Sequence, residues 1–214
     1  MLSGKGQVIE RLLQGAFICR TTDEDGWRFL KISGNREQVD AYLGQLNRLV
    51  ATVGAGAADS EVFFCGYRAL GEAERRVIGQ QFRDICQSLT PLVEWLVLVQ
   101  EAAGQDAPLT EGAPVRLNEL QTIIEDTPAL REQLTSLCRH RLFNSSSAAV
   151  DGQVKQVFKR LCELGYLIRP NSEKQIYLAT GKLDYLYEVI RFIDEAENLN
   201  LEAQAESAVQ GQLL

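Results

Sequence analysis

Val150 to Leu178 reads VDGQVKQVFKRLCELGYLIRPNSEKQIYL. Val154, Val157, Phe158, Leu161 and Leu164 recur at spacings of three and four, which places them on one face of a helix. Gly165 follows the last of them, where a left-handed cap is cheap only for glycine. Tyr166-Leu167-Ile168-Arg169 and Gln175-Ile176-Tyr177-Leu178 are β-prone runs, and Pro170-Asn171-Ser172-Glu173-Lys174 between them has turn chemistry. A further helix is expected from Leu183 to Asn198, with Leu186, Tyr187, Ile190 and Ile193 turned inward.

Helix, tight hairpin and closing helix is how a winged-helix unit ends. The polar side of its helix carries Lys155, Lys159 and Arg160, and the hairpin adds Arg169 and Lys174. From Val150 to Lys182 six cations face three carboxylates, whereas Leu183 to Leu214 holds seven carboxylates and only Arg191. The whole chain has formal charge -7. Two readings of the basic cluster stand side by side. Lysines on an exposed helix face serve solubility, or cations concentrated on one element of an acidic protein mark a DNA phosphate contact.

Outward from this stretch the chain divides in two. Gly6 to Gln14 is an amphipathic helix, and Ala16 to Cys19 is a β-prone run. Trp27 to Ile32 alternates as a half-buried strand would. Ser33-Gly34-Asn35 starts a helix whose apolar face is Val39, Tyr42, Leu43, Leu46, Leu49 and Val50. Gly54 to Asp59 reads as a flexible turn and Glu61 to Arg68 as a strand. Trp27, Phe29, Val62 and Phe64 then lie on sheet elements and offer more apolar surface than so small a unit can bury. That predicts a symmetric homodimer through residues before about Leu70.

Helical periodicity takes over from Gly71 to Gly104, with a break expected at Thr90-Pro91. Gln105 to Pro114 reads as a loop, and helices are expected over Leu117 to Glu125 and from Pro128 through Cys138. Leu199 to Leu214 is acidic and Gln-rich. The expected fold is α+β, mostly helical, with tandem winged-helix domains. Residues 1–70 form an N-terminal winged-helix-like dimerisation domain, 71–198 a C-terminal winged-helix domain, and 199–214 a disordered acidic tail. The sequence carries no internal repeat.

The 214 residues hold five cysteines in no CxxC pair, so buried free thiols are expected, with no zinc site or disulfide framework. The most apolar run, Leu92 to Val99, is short and holds Glu94, far below the ~20 residues that span a bilayer. No secretory signal core follows Met1, so the expected location is cytoplasmic, with no membrane partner. Enzymatic chemistry is not expected. His140 is the only histidine and lies between two arginines; GxSxG, HExxH and P-loop patterns are absent; and no cofactor or metal is indicated. Trp27 and Trp95 lie in apolar surroundings and read as core.

An α/β unit, a long helical middle, the helix Gln153 to Leu161 running into Leu164-Gly165-Tyr166-Leu167, a wing, a helix and an acidic tail together resemble the MukE and MksE kite subunits of bacterial condensins. The resemblance covers roughly Gln7 to Asn198, and its best local match is Arg160-Leu161 with Leu164-Gly165. It implies a non-enzymatic homodimer that binds a kleisin of the MukF or MksF kind. Through the kleisin it would join an SMC ATPase of the MukB or MksB kind and contact double-stranded DNA on the nucleoid, in chromosome condensation and segregation. Plasmid-defence systems of the Wadjet type use similar kite subunits. Carried over by position, the DNA-binding residues are Lys155, Lys159 and Arg160, with Arg169 and Lys174 of the wing as an extension. Glu163 stands where that pattern has a basic residue, which predicts weak DNA binding outside the complex. A dimeric winged-helix transcription regulator is the other class of function, and a pI near 4.9 argues against it.

Overall fold

The computed structural model describes residues 4–54, 61–104 and 107–197. The first unit opens with α1 (Gly4–Leu13), which buries Val8, Ile9 and Leu12. The chain turns back through Ile18, whose backbone bridges to Phe63. Next comes α2 (Glu24–Lys31), where a strand was expected over Trp27 to Ile32. Asp23 decides the matter, because its carboxylate accepts the Gly26 N–H at 3.0 Å and caps the helix start. Trp27 and Leu30, three apart, are both buried, and the short alternating pattern fitted that spacing as well as a strand's. The Trp27 indole N–H donates to the Glu61 carbonyl at 2.7 Å.

Helix α3 (Ser33–Gly44) is shorter than its apolar pattern suggested. Leu46, Leu49 and Val50 were expected on its face, but the chain leaves through Asn47 at φ 57 and enters strand β1 (Arg48–Val53). Asparagine tolerates the left-handed region, and the Asn47 side chain also ties the Ala69 backbone at 3.0 Å through both donor and acceptor. β1 pairs antiparallel with β2 (Val62–Tyr67), the strand expected there.

Helix α4 (Glu72–Ala103) runs for 32 residues straight through Pro91, where a break was expected. Proline inside a helix costs ~3 kcal/mol. Here Pro91 is itself buried with Leu92, Trp95, Leu96, Leu98 and Val99 along the second core, and that packing outweighs the lost hydrogen bond. Gly104 ends the helix at φ 59. Strand β3 (Pro114–Arg116) closes what was read as a loop. Then come α5 (Leu117–Asp126), α6 (Pro128–Arg139), α7 (Val150–Glu163), β4 (Leu167–Ile168), β5 (Ile176–Ala179) and α8 (Gly181–Glu197). These follow the expected helices and hairpin, with Gly165 at φ 78 after α7. The expected tail and most of the expected Gly54 to Asp59 turn lie outside the described residues.

Among the described residues the chain is thus mostly helical with two small antiparallel sheets. Their connectivity repeats although the sequence does not. In the first unit Ile18, from between α1 and α2, bridges β2, which also pairs with β1. In the second unit β3, from between α4 and α5, pairs with β5, which also pairs with β4. Each unit therefore adds an early extended segment to the second strand of its later hairpin.

Two hydrophobic cores match the two units, a smaller one around Leu12, Leu30, Leu43 and Phe63 and a larger one around Trp95, Ile124, Phe143 and Phe158. Trp27 and Trp95 are both core residues, as expected. The first turn of α8 presses against the first unit. Its Gly181 lies so close that an added Cβ would sit 2.4 Å from a Val62 methyl and 3.1 Å from the Cys19 Cβ. Phe17, Phe64 and Tyr185 form an aromatic cluster across the same seam, with ring centroids 5.0–5.5 Å apart. Of the apolar residues expected to seek a dimer partner, Trp27 and Val62 are buried, and Phe64 is spent on this seam. Phe29 lies on α2, packed against the smaller core.

Candidate nucleic-acid interface

Helix α7 buries Gln153, Val154, Val157, Phe158 and Leu161, and its exposed positions include Lys155, Lys159 and Glu163. None of its cations is free. Lys155 pairs with Asp151 at 2.7 Å, one turn earlier, and Lys159 reaches Glu163 at 3.9 Å, one turn later. Arg160 donates from Nε to the Leu142 carbonyl at 3.0 Å and pairs with Glu163 through another guanidinium nitrogen. Three cations against Asp151 and Glu163 leave the helix close to neutral. Exposed pairs of this kind contribute only about 0.2–1 kcal/mol, so a phosphate could displace the carboxylates, but it would replace one anion by another.

The wing behaves similarly. Arg169 donates from Nε to the Lys174 carbonyl at 2.9 Å and from a second nitrogen to the Ser172 carbonyl, so its guanidinium staples the hairpin turn. It also lies 5.7 Å from the Tyr177 ring centroid. Asn171 Oδ1 accepts the Glu173 N–H at 2.8 Å, a side-chain-closed turn. Lys174 alone among the five expected contacts is exposed with no ion pair at its ammonium among the described residues. Lys182, part of the sequence's basic count, faces inward. Its ammonium donates to the Leu164 carbonyl at 2.7 Å and lies 4.9 Å from the Tyr166 ring centroid, and burial pulls its pKa down.

Cations that sequence reasoning passed over lie on α6 and the turn after it. Arg131, Arg139 and Arg141 are exposed, and no ion pair engages them among the described residues. Arg131 and Arg139 line one open hollow with Pro128, Glu132, Thr135 and Ser136. The available signal was the four-residue spacing of Arg131, Thr135 and Arg139 along a helix whose Leu130, Leu134, Leu137 and Cys138 turn to the core. His140 Nε2 is 2.9 Å from a Glu94 carboxylate oxygen, which holds the turn against α4.

The seam between the units holds a pair of carboxylates that the sequence did not suggest. Glu111 accepts the Thr21 N–H at 2.7 Å and the Thr21 hydroxyl, and the Glu111 N–H donates to Asp184 Oδ2 at 3.1 Å. Burial raises the Asp184 carboxyl above its ordinary range. Their hydrogen bonds are spent on holding the seam together.

Among the described residues no group of three or more His, Cys, Asp or Glu could hold a metal ion, and no helix is long and apolar enough to cross a membrane. Cys19 and Cys138 are buried and free, with burial pushing the Cys138 thiol up to about 11, while Cys86 is exposed, against the expectation of buried thiols throughout. No protein-family model matches this chain, and no curated protein matches it.

Proposed function

We propose that this chain is a non-catalytic kite subunit of a bacterial SMC complex, a tandem winged-helix protein that binds a kleisin and contacts the DNA the complex holds. The carrying observation is the repeated connectivity. Twice in one chain, helices and an antiparallel hairpin combine with an early extended segment, Ile18 or β3, added to the hairpin's second strand. That connectivity supports the winged-helix reading, and two such units joined by one long helix suit a scaffold better than an enzyme. The near-neutral α7 supports a DNA contact that is weak, and so readable only at low salt, when the chain stands alone. On this reading the chain works as a homodimer on the nucleoid, in chromosome organisation or in plasmid defence.

A free-standing transcription regulator would need a recognition helix with cations available to DNA, and the partnered state of Lys155, Lys159 and Arg160 disfavours it. The test is affinity purification of a tagged copy from its native cell. An SMC-like ATPase and a kleisin should elute with it and stay bound at high salt. A homodimer that elutes with neither would overturn the proposal.

A further inference from the structure

We infer that the second unit meets duplex DNA through α6 and the turn after it, with Arg131, Arg139 and Arg141 as the phosphate-binding groups. The inference rests on the reading of this chain as a DNA-contacting subunit. It moves the contact off α7, where the sequence put it.

Availability is the first argument. The α7 cations are held by Asp151, Glu163 and the Leu142 carbonyl, and Arg169 by its own turn. Arg131, Arg139 and Arg141 are exposed without such partners among the described residues. One acid, Glu132, shares the hollow with the two α6 arginines, so the local balance stays positive.

Geometry is the second. Arg131 and Arg139 are eight residues apart, about 12 Å along a helix axis. Over that length a duplex presents about seven phosphate charges, so both guanidiniums meet phosphate in many registers. A planar guanidinium forks onto phosphate oxygens better than an ammonium does. Ser136, in the same hollow, offers a hydroxyl for a further phosphate hydrogen bond. Arg141 is exposed in the turn that follows α6, next in sequence to Leu142, whose carbonyl holds Arg160.

The chemistry of this face fits a duplex backbone rather than unpaired bases or a lipid surface. No aromatic side chain lines the hollow, so nothing is there to stack an unpaired base. It also lacks the large apolar side chains that would enter a lipid surface.

The experiment is fluorescence anisotropy of a labelled duplex with the full chain, titrated from about 50 to 200 mM salt. Three variants are compared with the parent: R131A/R139A/R141A, the same three positions changed to lysine, and K155A/K159A. The alanine triple should weaken binding to every duplex sequence alike and lower the slope of log K on log salt by about 2.7. The lysine triple should keep most of that slope, and K155A/K159A should change it by less than about 0.5. All these side chains are at the surface, so circular dichroism should report parental folding. If the alanine triple keeps the parental slope, or both alanine variants lose it equally, the assignment to α6 fails while the DNA reading stands. If the parent chain binds no duplex at the lowest salt, or binds anionic vesicles in its place, the DNA reading fails and this inference falls with it.

Discussion

Helices α3 and α7 hold equivalent places, each leading into the hairpin of its unit, yet they spend their side chains in opposite ways. α7 buries four apolar side chains, Val154, Val157, Phe158 and Leu161, and keeps its charges within itself and its nearest loop. α3 buries only Val39 and Leu43, and its charges reach across the unit. Asp40 accepts the Val50 N–H at 2.9 Å and pairs with Arg68 beyond β2, while Arg36 pairs with Glu61 at 3.2 Å. Its outer side shows Tyr42, about half exposed, where α7 shows lysines. The same connectivity is held mostly by packing in one unit and with much help from polar ties in the other.

The largest test of that contrast is in the cores. Phe158 is 1% exposed and meets Tyr177 edge to face at 4.7 Å, so Phe158→Ala should cost about 3–5 kcal/mol. Leu43→Ala, in the smaller core, should cost about 2–4 kcal/mol. Urea unfolding followed by circular dichroism measures both. Equal and small losses would mean that α7 is not the packed element of the pair.

The seam decides whether the two units unfold together. Gly181→Ala forces a methyl into Val62 and Cys19 and should cost about 1–3 kcal/mol by overpacking. It should also split a single thermal transition into two, the smaller core melting first. A variant that still melts in one step near the parental midpoint would show that the seam yields easily.

Raising the pH should act on the α7 side of the molecule and on the seam. Burial pushes Tyr166 and Tyr187 from about 10 up to about 12. Their folded forms therefore hold a proton longer than their unfolded forms. The stability they provide is complete below pH 10 and is lost as pH rises towards 12, on the order of 2–3 kcal/mol for Tyr166 and less for the more exposed Tyr187. Lys182 works the other way, because its folded pKa is lowered, and it offsets part of that loss. Tyr166→Phe should flatten the alkaline fall in midpoint measured by calorimetry. An unchanged fall would remove Tyr166 from this account.

The smallest effects separate the charges. Asp40→Ala strips the Val50 N–H and Arg68 of their partner and should cost about 1–2 kcal/mol. Asp151→Ala breaks only the one-turn pair with Lys155 and should cost less than about 0.5 kcal/mol. Similar losses in the two variants would erase the distinction between a tie across the unit and one within a helix.

The resemblance to kite subunits rested on the order of elements; the repeated connectivity is a separate observation that the order of elements did not reveal. The repeat was invisible in the residues because a bridge as short as Ile18 to Phe63 needs no motif, only a chain brought back alongside β2. The candidate site was legible only in part. Lys155, Lys159 and Arg160 were found by their spacing, but whether a cation is available depends on what lies one turn away and on the Leu142 carbonyl, 18 residues earlier.

By itself the sequence determined the elements whose signals are local and strong: the α7 stripe with its Gly165 stop, the hairpin around Pro170 to Lys174, the helices opened by Pro128 and Leu117, and strand β2. Each is written within a dozen residues, where periodicity and turn chemistry act. Tertiary structure decided where those signals were weak or opposed. It carried α4 through Pro91, because burial against the second core outweighs one proline. It made Trp27 helical, because Asp23 caps that turn and the indole N–H finds Glu61, 34 residues away. It drew Leu49 and Val50 out of a helix into β1, because β2 offered a ladder to pair with and Asn47 could take the left-handed turn between. In each case a partner far along the chain contributes, and only folding brings it into contact.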